Sequence, residues 1–386
     1  FLEAKYKIKK PVHGFVKNKS ILTNAKEHLK KNYILNLDIK NFFPTINFGR
    51  VRGLFMSEPF NMGEDAATLI AQLCCYNNEL PQGACTSPVI SNLIAVNLDN
   101  RMMKLSQNIH CTYTRYADDI TISSSKPFPK TIIFYNEGKN PFIDGFEIGK
   151  KLTIEIEKAG FEINTQKVRL ENKYVRQEVT GLTINSFPNV KRKYIRQIRA
   201  MLYSFEKDGL LEKKKTHLAF KGMQDYNGDI PGKYFQNVLI GKLAFLKMIR
   251  GIDDEIVQKL CLNFAKLTTE ELPQFIKDIK MESQEYEVFI CHASEDKEKI
   301  AIPIYNELES LSIKVFLDQN YIRWGDSFIK IIDHALKKSK FVIAILSENS
   351  IDKRWQIKEI HVTTARQIAG DDIKLLPFVV KKKKKT

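Results

Sequence analysis

Ile34-Leu35-Asn36-Leu37-Asp38-Ile39 alternates apolar and polar residues as a buried strand does. Cys111-Thr112-Tyr113-Thr114-Arg115 and Ile120-Thr121-Ile122-Ser123 are β-branched and aromatic-rich, which predicts two short strands. Ala117, Asp118 and Asp119 form the turn between them. Leu80-Pro81-Gln82-Gly83-Ala84-Cys85-Thr86-Ser87-Pro88 is rich in turn residues and leads into an apolar helix carrying Val89, Leu93, Val96 and Leu98. Residues 148–158 predict a helix ending near Gly160, and an edge strand starts at Phe161. Further on, Ile195, Ile198, Leu202 and Phe205 recur at helical spacing, while Lys191, Arg192, Lys193, Arg196 and Arg199 cover other faces. Gly209 is the expected stop.

The pattern changes after a polar stretch, 268–284, that contains Pro273 and reads as a linker. Four near-continuous apolar runs follow, at 286–291, 313–318, 341–346 and 373–378. Helical segments separate them, the signature of a doubly wound parallel sheet. Ligands of such sheets bind beyond the carboxyl ends of the strands.

Asp38 sits inside an apolar strand, where a carboxylate is unfavourable unless paired or metal-bound. Asp118 and Asp119 project from a hairpin tip, repel each other and gain nothing from packing, so a divalent cation is the compensation. Together the three supply the oxygen cluster that two-metal phosphoryl transfer needs. The expected metal set is Asp38, Ile39, Asp118 and Asp119, with two Mg²⁺ ions. Gly83 allows close backbone approach, and Gln82 can hydrogen-bond a nucleotide or template strand.

Composition sharpens this. The 386 residues carry a formal net charge of +16, and the stretch 284–380 is close to charge balance, so the basic excess belongs to the N-terminal part, as a phosphate-binding surface requires. No segment approaches the apolar length of a membrane span. The six cysteines show no Cys-x-x-Cys spacing and read as reduced thiols of a cytoplasmic protein. Both ends read as incomplete, and the lysine run 381–385 reads as a solvated tail.

A strand with Asp38, then Pro81-Gln82-Gly83 before a helix, then the Asp118-Asp119 hairpin resembles the ordered palm motifs of reverse transcriptases. His13-Gly14-Phe15, Asn24-Ala25 with His28, and Val179-Thr180-Gly181 resemble segments that mark bacterial retron reverse transcriptases. The resemblance implies an RNA-directed DNA polymerase that copies its cognate non-coding RNA into branched, RNA-linked DNA from dNTPs. It assigns Asp38, Asp118 and Asp119 as catalytic and Phe43, Gln82, Gly83 and Lys167 as nucleotide-binding. Asn24, His28, Arg192, Arg196 and Arg199 become RNA contacts. Phe43 is either an aromatic that crowds the sugar 2′ position or a core aromatic beside Phe42. Lys167 is either a proton donor to pyrophosphate or an exposed strand lysine.

In the last part, His292-Ala293-Ser294-Glu295-Asp296 follows the first strand, and Asp318 leads through Trp324-Gly325-Asp326-Ser327 into a helix. Ser347-Glu348-Asn349 follows the third strand, and Trp355 precedes Glu359 by one helical turn. This combination resembles the TIR domain family, with Cys291-His292 standing where the family often has a Ser and an aromatic. The Trp-x-x-x-Glu placement is similar to members that hydrolyse NAD. That implies Glu359 as catalytic and His292, Ser294, Trp324, Asp326, Ser327 and Trp355 as NAD-binding. It also implies self-association, and the retron resemblance implies a role in antiphage defence. The expected fold is therefore multidomain: an α+β reverse-transcriptase fingers and palm (1–186) with a helical thumb (187–267), a linker (268–284), an α/β flavodoxin-like TIR domain (285–380) and a basic tail (381–386). The competing reading is a non-retron reverse transcriptase with a non-catalytic TIR adaptor.

Overall fold

The computed structural model describes residues 8–135, 140–142, 145–220, 231–268, 271–283, 286–317, 335, 336, 338–350, 361, 363, 364 and 373–380. The chain divides into two compact units, 1–257 and 258–386.

Among the described residues, the first helices and strand of the first unit are α1 (Ile21–Glu27), β1 (Tyr33–Asp38), α2 (Phe42–Thr45), α3 (Phe48–Met56) and α4 (Glu64–Cys74). The consecutive helices α5 (Ser87–Ile94) and α6 (Val96–Asn108) lead to the hairpin of β2 (Thr112–Tyr116) and β3 (Asp119–Ser124). After β4 (Ile133–Phe134), β5 (Glu147–Ile148) and α7 (Lys150–Glu157) come β6 (Arg169–Asn172), the hairpin β7 (Glu178–Val179) and β8 (Leu182–Thr183), and the long helices α8 (Arg192–Phe220) and α9 (Pro231–Arg250).

β1, β2, β3 and β6 form one antiparallel sheet in the order β2-β3-β1-β6. The period-2 pattern splits its faces. Leu35, Leu37, Ile39, Tyr113, Ile120 and Ile122 enter one core with Leu98, Met102, Leu152 and Ile156 of α6 and α7. Asn36, Asp38, Thr114, Asp119, Thr121 and Ser123 fall at the alternate positions and make the second face polar.

The strand expected from Phe161 is displaced along the chain. Phe161 turns into the core instead, 2% exposed, with its ring 5.5 Å from that of Phe42 and under the Arg50 guanidinium at 4.4 Å. Ile163 makes a single bridge to Ile39, a 3₁₀ turn spans Thr165–Lys167, and only then does β6 pair along β1. Helix α8 also runs past Gly209 to Phe220. One interior glycine costs a helix only about 1 kcal/mol, and the buried stripe of Ile195, Ile198, Leu202 and Phe205 outweighs it. That stripe packs on α9, with Phe205 against Phe235 and Tyr194 against Phe245.

α10 (Glu255–Leu267) lies at the division between the units. The segment expected as a linker carries α11 (Gln274–Glu282), whose Ile276 and Ile279 are buried at helical spacing. Two apolar anchors in a polar stretch give too weak a period to stand out from the sequence.

Among the described residues, the further strands and α-helix of the second unit are β9 (Val288–Cys291), α12 (Ile302–Ser310), β10 (Val315–Phe316), β11 (Phe341–Leu346) and β12 (Lys374–Val379). The four strands form a parallel sheet in the order β10-β9-β11-β12. Phe289, Cys291, Phe316 and Val342 enter one apolar cluster, and Val288, Ile290, Val315 and Ile345 another. Both faces of β9 are therefore covered, as the apolar run predicts. Among the described strands β12 stands at the edge of the sheet, where Pro377 is tolerated. The order places β9 between β10 and β11, so the topological switch point lies between β9 and β11, as in flavodoxin-like sheets.

Candidate active sites

Asp38 closes β1 and Asp119 opens β3, and the antiparallel register sets them opposite each other. The turn is two residues, Ala117 and Asp118, rather than three, because Asp119 already pairs with Tyr116 and Asp38. Ala117 takes φ 57°, a left-handed conformation that costs a non-glycine residue about 1–2 kcal/mol. Its surroundings hold it there. Arg115 Nη1 donates to the Ala117 carbonyl at 3.0 Å. The same guanidinium is fully buried and grips Asp99 with Nε and Nη2, both at 2.8 Å, while the Tyr113 hydroxyl donates to Asp99 at 2.7 Å. Breaking such a buried pair costs about 3–5 kcal/mol.

The His13-Gly14-Phe15 segment backs this turn from the other side. A Cβ on Gly14 would lie 2.3 Å from the Ala117 nitrogen, so only glycine fits. His13 N donates to Arg115 O at 2.8 Å, and Asn92 Nδ2 donates to Gly14 O at 3.0 Å.

A cavity of about 430 Å³ opens over the turn, lined by Asn36, Leu37, Asp38, Asp118, Asp119, Gln166, Lys167 and Arg169. Asp38 is 6% exposed, and its partner is Lys167, whose Nζ donates to both carboxylate oxygens at 2.9 and 2.8 Å. That bond raises the Lys167 pKa. Desolvation, then the charge of Asp38, raises Asp118. Desolvation, then the Asp118 and Asp38 carboxylates, pushes Asp119 up to about 6, although part of its side chain faces solvent.

Among the described residues no group of three or more His, Cys, Asp or Glu closes into a metal cluster; here an ammonium closes the Asp38 carboxylate. The donor set nonetheless fits a hard divalent ion: three carboxylates at one end of a sheet, two of them kept from ionising easily by desolvation and each other's charge, and only oxygen on offer. Ile39 buries its side chain and donates its N–H to Asp118 O at 3.0 Å, so it brings main chain alone to the site.

The other expected polymerase residues are scattered. Gln82 and Gly83 are exposed in the turn before α5, Gly83 with φ 98°. Phe43 is half-buried between Phe42 and Phe15, with ring centroids 5.6 and 6.2 Å away. None of the three lines the aspartate cavity. Arg192, Arg196 and Arg199 are exposed on α8. Asn24 and His28 correct the expectation of RNA contacts, being 1% and 0% exposed. His28 Nδ1 pairs with Ser123 Oγ and Nε2 with Thr114 Oγ1, both at 2.7 Å, on the polar face of the hairpin. Burial, then the nearby His13 and Lys31, pushes its pKa down to about 3, so the ring is neutral. His28 thus braces the aspartate hairpin from beneath. Arg115, Asp99 and Gly14 do the same and are illegible as site residues in the sequence, since their role comes through contacts distant along the chain.

In the second unit, Asp296 is buried after β9 and accepts hydrogen bonds from Ser347 Oγ and, at 2.8 Å, from Asn349 Nδ2, both after β11. This network stitches together the two loops at the switch point, where a doubly wound sheet binds ligands. His292 and Ser294 lie on the first of these loops, with His292 Nδ1 2.9 Å from Ala293 O. Trp324, Asp326, Ser327, Trp355 and Glu359 lie outside the described residues.

Residues 2–194 match the family model for reverse transcriptase (RNA-dependent DNA polymerase), and residues 288–386 match that for the TIR domain. The chain belongs to the reverse transcriptase family, with a retron-type reverse-transcriptase domain at its N-terminal side and a TIR domain at its C-terminal side. It is 35% identical over 193 residues to the retron Ec86 reverse transcriptase of Escherichia coli, covering 49% of this chain and 54% of that protein. Over 236 residues it is 30% identical to the retron Mx65 reverse transcriptase of Myxococcus xanthus, covering 56% and 51%. The chain thus spans about half the length of these relatives. A 95-residue stretch is 40% identical to a probable 2′ cyclic ADP-D-ribose synthase, TcpB, of Brucella melitensis, covering 25% of this chain and 38% of that protein.

Proposed function

We propose that the first unit is an RNA-directed DNA polymerase that copies its own non-coding RNA into RNA-linked DNA, and that the second converts NAD when released in antiphage defence. The observation that carries the first part is the pairing of Asp38 with Asp119, with Asp118 at the tip of the same hairpin, in a cavity shared with Lys167. In this reading residues 1–186 are fingers and palm, 187–267 the thumb, and the exposed Arg192, Arg196 and Arg199 lie along the phosphates of the RNA. Asp38, Asp118, Asp119 and the Ile39 main chain would hold two Mg²⁺, which supply Lewis-acid activation of the attacking hydroxyl and of the leaving pyrophosphate. A ribose hydroxyl oxygen bonds to the α-phosphorus as the bond to pyrophosphate breaks. Lys167, once freed from Asp38, is the proton source for the departing oxygen. Phe43 crowds the sugar, and Gln82 and Gly83 meet the nucleotide or template.

Primer extension tests this directly. The double substitution Asp118→Asn with Asp119→Asn should reduce DNA synthesis to background while leaving the protein folded, because neither side chain packs the core. Extension at the wild-type rate would refute the assignment.

For the second unit, the stitched loops at the switch point support a dinucleotide site, with Glu359 as the carboxylate that stabilises positive charge developing on the ribose as nicotinamide leaves. The similarity to a probable 2′ cyclic ADP-D-ribose synthase favours a second outcome of the same chemistry, in which the ribose is captured by the adenosine part rather than by water. Product analysis distinguishes the two: ADP-ribose marks hydrolysis, a cyclic isomer marks cyclisation. NAD left intact by triggered protein would leave the adaptor reading standing.

A further inference from the structure

Two cations reach the aspartate cavity, Lys167 and Arg169, and their partners differ. Lys167 Nζ is committed to both oxygens of Asp38. Arg169 opens β6 opposite Asn36, so it stands on the polar face with Asp38, Asn36 and Thr121. Along β1 that places it one two-residue step, about 6.5 Å, from the Asp38–Asp119 row. Its guanidinium is half exposed and forms no hydrogen bond among the described residues. Its ion-pair partner is Glu178, with Nη1 3.9 Å from Oε2.

Glu178 is already well supplied. Its side chain is 5% exposed, with Lys191 Nζ 2.8 Å from Oε2 and Arg176 Nε 2.6 Å from Oε1, the latter off the line of a hydrogen bond. Three cations thus face one buried carboxylate, and Arg169 is the most distant of them. The pair steers the guanidinium without consuming its donors. A planar group with five N–H donors matches phosphate oxygens two at a time. The cavity is of a size that holds small ligands, which need about 300–1,000 Å³.

We propose that Arg169 is a phosphate-binding residue of the polymerase site, with Glu178 as its positioning residue. Its ligand is either the triphosphate of the incoming nucleotide or a phosphodiester of the strand being extended. The proposal rests on the polymerase reading above and adds a site to it. The positive field of Arg169 also reaches Asp119, whose carboxylate it helps to ionise.

The test uses the intact protein with its RNA, in wild-type, Arg169→Ala, Arg169→Lys and Glu178→Gln forms, with Asp118→Asn as control. If the ligand is the triphosphate, Arg169→Ala raises KM for dNTP about tenfold or more, the loss of a charge-assisted bidentate contact, with RNA affinity unchanged. If it is the phosphodiester, RNA affinity falls and the slope of log affinity against log salt becomes shallower by about 0.7–0.9. Arg169→Lys recovers part of either loss. Glu178→Gln shifts the same parameter in the same direction and by less, which a merely structural defect would not do selectively. Arg169→Ala with both parameters within twofold of wild type, beside an inactive Asp118→Asn, overturns the Arg169 assignment alone. A wild-type protein that extends no primer removes the polymerase reading and this proposal with it.

Discussion

Desolvation favours the neutral form of both Asp119 and His28, and so moves their pKa values in opposite directions. The Asp119 pKa is raised from 3.8 to about 6, so the folded protein binds a proton that the unfolded chain releases between those values. Its contribution to stability is fully present below pH 3.8 and is lost as pH rises through about 6. Asp119→Asn should therefore match the wild type in melting temperature near pH 4 and exceed it above pH 6, a difference thermal melts across that range will read. His28 runs the other way. Its pKa is lowered from 6.5 to about 3, so its contribution is complete above 6.5 and is lost as pH falls toward 3. His28→Ala strands two buried hydroxyls, Ser123 and Thr114, and should destabilise the protein by about 2–4 kcal/mol in urea unfolding at neutral pH. Its effect on RNA affinity should disappear when only the folded fraction is counted. A specific loss of RNA binding by fully folded His28→Ala would restore the surface role that the sequence suggests. Asn24-Ala25 and His28 mark a retron resemblance in the sequence, yet nothing in one chain's sequence distinguishes a histidine that touches RNA from one that braces a hairpin. Only the fold shows that Thr114 and Ser123 come to it from opposite strands.

At the scale of elements, legibility follows the strength of the local period. β1, β2, β3 and the apolar runs of β9 and β11 stand where alternation or continuous hydrophobicity puts them. The displaced β6, the long α8 and the small α11 do not, because each is decided by packing: Phe161 entering the core, a buried stripe outweighing Gly209, and two isoleucines finding a partner surface. The aspartate hairpin is itself built by non-local contacts, from Arg115 and Asp99 on one side and Gly14 on the other. Gly14→Ala should displace the Ala117–Asp118 turn, since a Cβ 2.3 Å from backbone cannot be accommodated by a side-chain shift. The expected cost is about 1–3 kcal/mol, with DNA synthesis falling much further than the folded fraction. Circular dichroism melts beside primer extension check this, and equal losses in both would mean that the segment contributes stability alone.

At the scale of the molecule, the chain divides into two compact units. The N-terminal unit carries the retron-type reverse-transcriptase domain, the second carries the TIR domain, and each has its own sheet and core. In the proposed function Glu359→Ala should abolish NAD loss in triggered cells while DNA synthesis continues, whereas Asp118→Asn should remove the DNA while leaving the NAD chemistry competent but without its nucleic-acid control. NAD loss that persists in Glu359→Ala would take the catalytic role away from that residue. In the proposed function the paired aspartates make DNA on an RNA that the protein selects for itself. Sequencing the nucleic acid that co-purifies with the protein, wild type beside Asp118→Asn with Asp119→Asn, measures this most directly. One structured RNA joined to its DNA copy is expected on the wild type, and the same RNA without DNA on the variant. An unselected mixture of RNAs, or RNA-linked DNA carried equally by both, would contradict it.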